Sequence, residues 1–257
     1  MIFTQPSIDP IILSLGILDI RWYSLSYILA FVIGSFLIKI FNRNFLNLLS
    51  NKQIDNFFVW AIIGVIIGGR FGYVIFYQTN LILADPLYIF KIWTGGMSFH
   101  GGLIGMIGAI YFFSKINNVK FLYLSDLVSL VAPIGLFFGR IANFINTELY
   151  GRITEFPIAM IYPSIDNLPR HPSQLYEAFF EGIILFIILL IYFYNNNKKV
   201  IGKISGLFLL IYSIFRFSIE NLREPDSHLG LYFEIFSMGQ LLCIPLFVFG
   251  TLLLIKK

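Results

Sequence analysis

Cysteine is all but absent. The only one, Cys243, lies inside an apolar run, so no disulfide framework, zinc cluster or Cys–His ligand set can be built from it. It reads as a small buried or lipid-facing residue. Histidine is nearly as scarce, with three copies far apart in sequence. The shortage of charge is more telling. Only 12% of the 257 residues are charged, about half of the roughly 25% usual in a soluble domain. With 58% hydrophobic residues and a mean hydropathy of +0.81, that excludes an ordinary soluble domain and points to a polytopic membrane protein. Residues 1–20 hold no Lys or Arg, so the positive region of a cleavable signal peptide is missing, and the first apolar run is expected to stay as a span. No nucleophile elbow, Walker loop or dinucleotide loop is present. The net charge of +4 is small and reports membrane orientation rather than nucleic-acid binding.

Apolar runs of about 20 residues, the length that crosses ~30 Å of hydrocarbon, fall near 22–40, 57–77, 97–114, 125–146, 174–194, 204–222 and 238–255. The expected fold is therefore an all-α polytopic membrane protein with seven transmembrane helices in one integral domain, 1–257. Basic residues orient it. One side collects Lys39, Arg43, Lys52, Lys115, Lys120, Lys198, Lys199, Lys203, Lys256 and Lys257; the other holds only Arg21, Lys91, Arg152, Arg170 and Arg223. The N-terminus is thus expected outside and the C-terminus in the cytoplasm. The longest outer loop, about 147–172, contains Phe156, Ile158 and Tyr162 to pack and is expected to form an ordered cap. Residues 81–92 suggest a short interfacial helix, and residues 8–20 a segment along the membrane surface. Gly64, Gly68 and Gly72, with Gly101 and Gly105, have the spacing that lets helix backbones approach.

With that orientation the polar residues share one depth. Arg70, Arg140 and Arg216 come late in outward-running spans; Tyr23, His100, Gln174, Glu177 and Glu181 come early in inward-running ones. Charge collected at one depth implies a hydrated cavity toward the outer leaflet. Helical spacing puts Arg140 with Asn143, Tyr212 with Arg216 and Glu220, Gln174 with Glu177 and Glu181, and Arg70 with Tyr73 and Tyr77, each set on one face. A structural ion pair is the competing reading for Arg216–Glu220, and tight packing the competing reading for Arg70. His100, between glycines in GGMSFHGG, is open to either a structural or a chemical role. Guanidinium groups at this depth suit a phospholipid phosphate, and asparagines suit glycerol hydroxyls or ester carbonyls. With no activated thiol or hydroxyl of its own, an enzyme of this kind takes its nucleophile from a second substrate. A transporter is the main alternative, but it would place polar groups at the midplane or on both sides.

The stretch Gly139–Arg152, GRIANFINTELYGR, resembles the signature of the bacterial prolipoprotein diacylglyceryl transferases at Gly139, Arg140, Asn143, Asn146, Glu148, Gly151 and Arg152. The blocks IRWYSLSY (20–27), GGRFGYVIFY (68–77), GGMSFHGG (95–102), RHPSQLYEAFFEG (170–182) and FRFSIENLREPD (215–226) are similar to that family too, in the same order. The resemblance implies an enzyme of the bacterial cytoplasmic membrane, its active site toward the outer leaflet. It moves the diacylglyceryl group of phosphatidylglycerol onto the lipobox cysteine in the signal peptide of a prolipoprotein, and glycerol phosphate leaves. The implied catalytic residues are Arg140, His100 and Arg216. Asn143, Asn146, Glu148, Gly151, Tyr23, Tyr212 and Glu220 would bind substrate, Glu220 by fixing Arg216. No metal or organic cofactor is required, because the leaving group is a phosphate ester whose charge arginines can hold.

Overall fold

The computed structural model describes residues 2–16, 18–196, 200–225 and 236–256. Lys198, Lys199 and Lys257, used above for orientation, lie outside the described residues. The chain divides into two units, 39–125 and 1–38 with 126–257, and the division falls within α1 (Trp22–Asn44) and within α5 (Phe121–Ile145).

The first unit is built on α2 (Asn51–Tyr77) and α4 (Phe99–Ile116). Ser50 caps α2 in a reciprocal arrangement with Gln53, and Ser98 caps α4, so each helix start has a donor satisfied by a side chain. The glycine spacing does what it predicts. A Cβ on Gly64 would sit 2.6 Å from the Gly105 carbonyl oxygen, and one on Gly72 2.8 Å from Gly101 Cα. Only glycine permits backbones this close. Between the two helices the chain forms a short helix α3 (Thr79–Ala84) and 3₁₀ turns at Pro86–Phe90 and Ile92–Thr94, so the expected single helix over 81–92 is broken. Pro86 supplies the break, since it cannot donate within a continuing helix.

The second unit holds the rest. A helix runs over Ser173–Asn195 as α6 (Ser173–Glu177), a π turn (Ala178–Ile184) and α7 (Leu185–Asn195). It is followed by α8 (Lys203–Glu220) and α9 (Met238–Ile255). Asp126 of α5 accepts hydrogen bonds from the Gly202 and Ser205 amides at 2.6 and 2.7 Å, capping α8 from another helix. In the segment expected along the membrane surface, β2 (Ile11–Leu15) pairs antiparallel with β3 (Leu18–Arg21). β1 (Phe3–Thr4) pairs parallel with β4 (Met160–Ile161), which pairs antiparallel with β5 (Pro169–Arg170). Tyr162 of the 147–172 connection is fully buried, whereas Phe156 and Ile158 are exposed, so only one of the three residues expected to pack there does so. The strand pairing, rather than an apolar core of its own, orders the segment.

Among the described residues, six helices are long and apolar enough to cross a membrane: Trp22–Asn44, Asn51–Phe76, Phe99–Ile116, Phe121–Ile145, Ser173–Asn195 and Met238–Ile255. α8 has the length of α4 and α9 but carries Lys203, Arg216 and Glu220. The remaining expected span, 204–222, falls on this charged helix, which is not among the six.

Candidate active site

Arg140 projects from the last turns of α5, Glu177 and Glu181 from the Ser173–Asn195 helix, and Arg216 and Glu220 from the last turns of α8. They meet in one cluster. Arg140 Nε lies 2.9 Å from Glu177 Oε2, and its Nη2 3.5 Å from Glu181 Oε2. Arg216 Nη1 contacts Glu177 Oε1, lies 3.8 Å from Glu181 Oε1, and its Nη2 is 2.7 Å from Glu220 Oε2. Arg223 closes the set at 3.9 Å from Glu177 and 4.0 Å from Glu220. The Glu177 and Glu181 side chains are 0% exposed. With every member ionised, three guanidinium groups balance three carboxylates, the condition under which buried charge is tolerated.

Local sequence explains the convergence. A Cβ on Gly182 would sit 2.7 Å from Phe137 Cβ, so its absence lets the π turn close on α5 and brings Glu181 within reach of Arg140. The wider π winding also changes the helix register there, as such turns do at functional sites. Gly239, at the start of α9, makes room for the Glu220 carboxylate, which accepts from Ser237 Oγ at 2.9 Å.

A second group adjoins the first along α6. Asn143 Nδ2 and Asn146 Nδ2 donate to the two Glu148 carboxylate oxygens at 2.8 and 3.2 Å. Gln174 Nε2 donates to the Glu148 carbonyl at 2.7 Å, and Tyr162 donates to Gln174 Oε1 at 2.9 Å. One helix face thus grips the loop with Gln174 and the arginines with Glu177. Gly151 bridges outward: its amide donates to the His171 carbonyl at 2.9 Å, and it pairs with Arg223. Arg170 donates to the Gly151 carbonyl at 3.2 Å and forms ion pairs with Asp166 and Glu224. The Arg170 guanidinium holds the Asp166 carboxyl below its ordinary range, and partial burial lowers the pKa of His171.

The residues expected from sequence divide accordingly. Arg140, Arg216 and Glu220 are in the cluster; Asn143, Asn146 and Glu148 form the adjoining set; Gly151 anchors the chain beyond it. Tyr212 is half-buried one turn before Arg216 and stacks on Phe208, ring centroids 5.8 Å apart. Tyr23 is half-buried in the first turn of α1, its ring 5.4 Å from that of Tyr27. His100 belongs to the 39–125 unit, exposed in the first turn of α4. Sequence reasoning set Glu177 and Glu181 at the depth of the expected cavity but gave them, like Arg223, no role in the site. The signal for the two glutamates was their i, i+4 spacing with Gln174 three residues before them.

Long apolar helices, with arginine and glutamate balanced in one buried cluster, define a multi-pass membrane protein. The family model for prolipoprotein diacylglyceryl transferases matches residues 10–256, and the chain belongs to that family. Proteins named phosphatidylglycerol–prolipoprotein diacylglyceryl transferase from Pseudoalteromonas atlantica, Rickettsia bellii and Rickettsia felis are 48, 50 and 46% identical to it. The alignments cover 98, 98 and 99% of this chain and 90, 97 and 98% of those relatives.

Proposed function

We propose that this protein transfers the diacylglyceryl group of phosphatidylglycerol to the lipobox cysteine of prolipoproteins. The cysteine sulfur bonds to the glyceryl carbon, the bond from that carbon to the phosphate oxygen breaks, and glycerol phosphate departs with the electron pair. The observation that carries this reading is family membership over nearly the whole chain. The arrangement of the cluster supports it chemically. The Arg140 side chain is 15% exposed, against 10% for Arg216 and 9% for Arg223, and among the described residues its one hydrogen bond is that from Nη2 to Glu181 at 3.5 Å. Arg140 therefore offers the leaving phosphate a guanidinium edge already aimed by two carboxylates, which is how preorganised charge lowers a barrier. Arg216 acts beside it, fixed by Glu220.

Asn143, Asn146, Glu148, Gly151, Tyr23 and Tyr212 position headgroup and glycerol in this reading. A thiol has a pKa of about 8.5, so attack needs a base, and His100 takes up the thiol proton. α8 serves as a seventh span, within one integral membrane domain. The N-terminus faces outward, the C-terminus lies in the cytoplasm, and residues 147–172 cap the site at the outer leaflet of the bacterial cytoplasmic membrane.

Purified protein, phosphatidylglycerol and a lipobox peptide provide the test. Mass spectrometry of the peptide is expected to show a diacylglyceryl adduct on its cysteine. Folded protein that binds both substrates and yields no adduct would refute the assignment.

A further inference from the structure

A buried cation of the 39–125 unit stands apart from the cluster. Arg70 of α2 is 1% exposed, and among the described residues it has no carboxylate within ion-pair distance. Its guanidinium instead gathers neutral acceptors from a single stretch of chain. Nε donates to the Ile89 carbonyl at 3.3 Å, and Nη2 donates to the Tyr88 carbonyl and Thr94 Oγ1 at 2.8 and 3.0 Å. Nη1 donates to the Gly95 carbonyl. The Tyr88 and Tyr73 rings lie 4.8 and 5.8 Å from its Cζ, within cation–π range.

That stretch has little else to hold it. No residue of the Pro86–Phe90 turn is buried, and Leu87, Phe90, Trp93 and Met97 are exposed, Trp93 by 77%. The segment is fastened to α2 chiefly through its carbonyls, with the Phe90 ring edge-on to Phe71 at 6.2 Å beside the Tyr88 contact. A planar guanidinium suits this, because its donors diverge in one plane; an ammonium offers its donors from one point. The fastening continues into α4. Gly95 and Gly96 take left-handed φ values of +76° and +82°. A Cβ on Gly96 would lie 2.6 Å from Tyr73 Cδ1. The Ser98 amide donates to the carbonyl of Gly69, the neighbour of Arg70, at 2.8 Å, while its side chain caps α4. His100 follows two residues later, in the first turn of that helix.

We infer that Arg70 is the positioning residue for His100: by clamping residues 88–95 it fixes where α4 begins and so where the His100 imidazole stands. The inference rests on the reading of His100 as the group that takes the thiol proton. It assigns Arg70 no contact with lipid or peptide, so its effect should pass through His100 alone.

A double-mutant cycle on the full-length protein tests it, with kcat and KM for phosphatidylglycerol measured by adduct formation. Displacing a reacting group by about 1 Å costs on the order of 10²-fold. Arg70→Lys is therefore expected to lower kcat by about ten- to a hundredfold with KM changed less than about twofold. Combined with His100→Gln, it should slow the enzyme no further than His100→Gln does alone. Gly96→Ala leaves Arg70 intact but forces Tyr73 and the turn apart; it should behave the same way and carries the test if Arg70→Lys does not fold. The inference is overturned if the two effects multiply while His100→Gln is itself crippled. Wild-type activity in His100→Gln would instead remove the role given to His100, and the inference with it.

Discussion

Glu177→Gln is the most direct probe of the charge cluster. The substitution preserves shape and removes one negative charge from a site where Glu177 is 0% exposed and faces Arg140 at 2.9 Å, Arg216 in closest contact and Arg223 at 3.9 Å. A unit pair about 4 Å apart is worth ~4 kcal/mol at an effective dielectric of about 20. The desolvation of the carboxylate offsets much of that sum, and removing one partner of a buried ion pair costs about 3–5 kcal/mol. The glutamine amide adds to the cost, because its NH2 would face guanidinium donors. At roughly 2–4 °C per kcal/mol for a chain near this size, the midpoint of thermal unfolding should fall by about 6–20 °C. The measurement is thermal unfolding in detergent at one fixed scan rate, with and without phosphatidylglycerol. The variant cluster carries a net positive charge, so an anionic headgroup should raise its midpoint more than it raises that of the wild type, as a ligand bound only to the folded state does. A zwitterionic lipid should show no such difference. A midpoint within about 2 °C of wild type would mean that the arginines do not depend on Glu177. Equal stabilisation of both proteins by the anionic lipid would mean that its headgroup does not meet the cluster.

Gly151→Ala should fail for a steric reason. Its Cβ would press on the His171 carbonyl and lie 2.7 Å from the Leu222 carbonyl oxygen. Backbone must then move, and lipid transfer should drop at least about tenfold for a displacement of this size, read as adduct per unit time on folded protein. Low pH should loosen the 147–172 segment. The folded-state pKa of His171 is depressed by partial burial, so the unfolded form binds the proton first, and stability is lost as pH falls from about 6.5 toward the folded value. Hydrogen exchange in 150–171 should therefore quicken as pH drops below about 6.5, after correction for intrinsic rates, and His171→Asn should remove that dependence. An unchanged dependence in the variant would refute the assignment to His171.

Much of the helical architecture was legible because its determinants are local. The glycine spacing on α2 and α4 specifies a close seam, and the apolar runs specify where long helices lie. The stripe Tyr212–Arg216–Glu220 was legible for the same reason, since one turn separates its members. Partners that lie far apart in sequence were not legible. Glu177 meets Arg140 of α5 and Arg216 of α8, and no spacing rule within one helix says which arginine a glutamate will find. Only Glu220, one turn from Arg216, is assigned to an arginine by spacing; Glu177 and Glu181, on another helix, are not. The π turn at Ala178–Ile184 and the parallel pairing of Phe3 with Met160 leave no periodic trace. The same holds for Arg70. Its composition context suggested packing, while its function as a clamp depends on carbonyls, and every residue has one.

The balance of the cluster bears on why an enzyme of lipid phosphates would bury three glutamates beside its arginines. Three uncompensated guanidinium groups in an apolar region would repel one another and cost several kcal/mol each in lost hydration. Carboxylates remove that cost and also fix direction: Glu177 and Glu181 hold Arg140 at Nε and Nη2 before any ligand arrives. On the proposed reaction, charge grows on the phosphate oxygen as the carbon–oxygen bond breaks. A donor already in place needs no reorganisation at that moment and so favours the transition state over the bound lipid. A cluster of free arginines would bind the ground-state headgroup more tightly and gain less at the barrier. Glu177→Gln should then separate the two quantities, with a lower KM for phosphatidylglycerol and a lower kcat, because the charge it frees attracts the lipid while the orientation it removes was what served the chemistry.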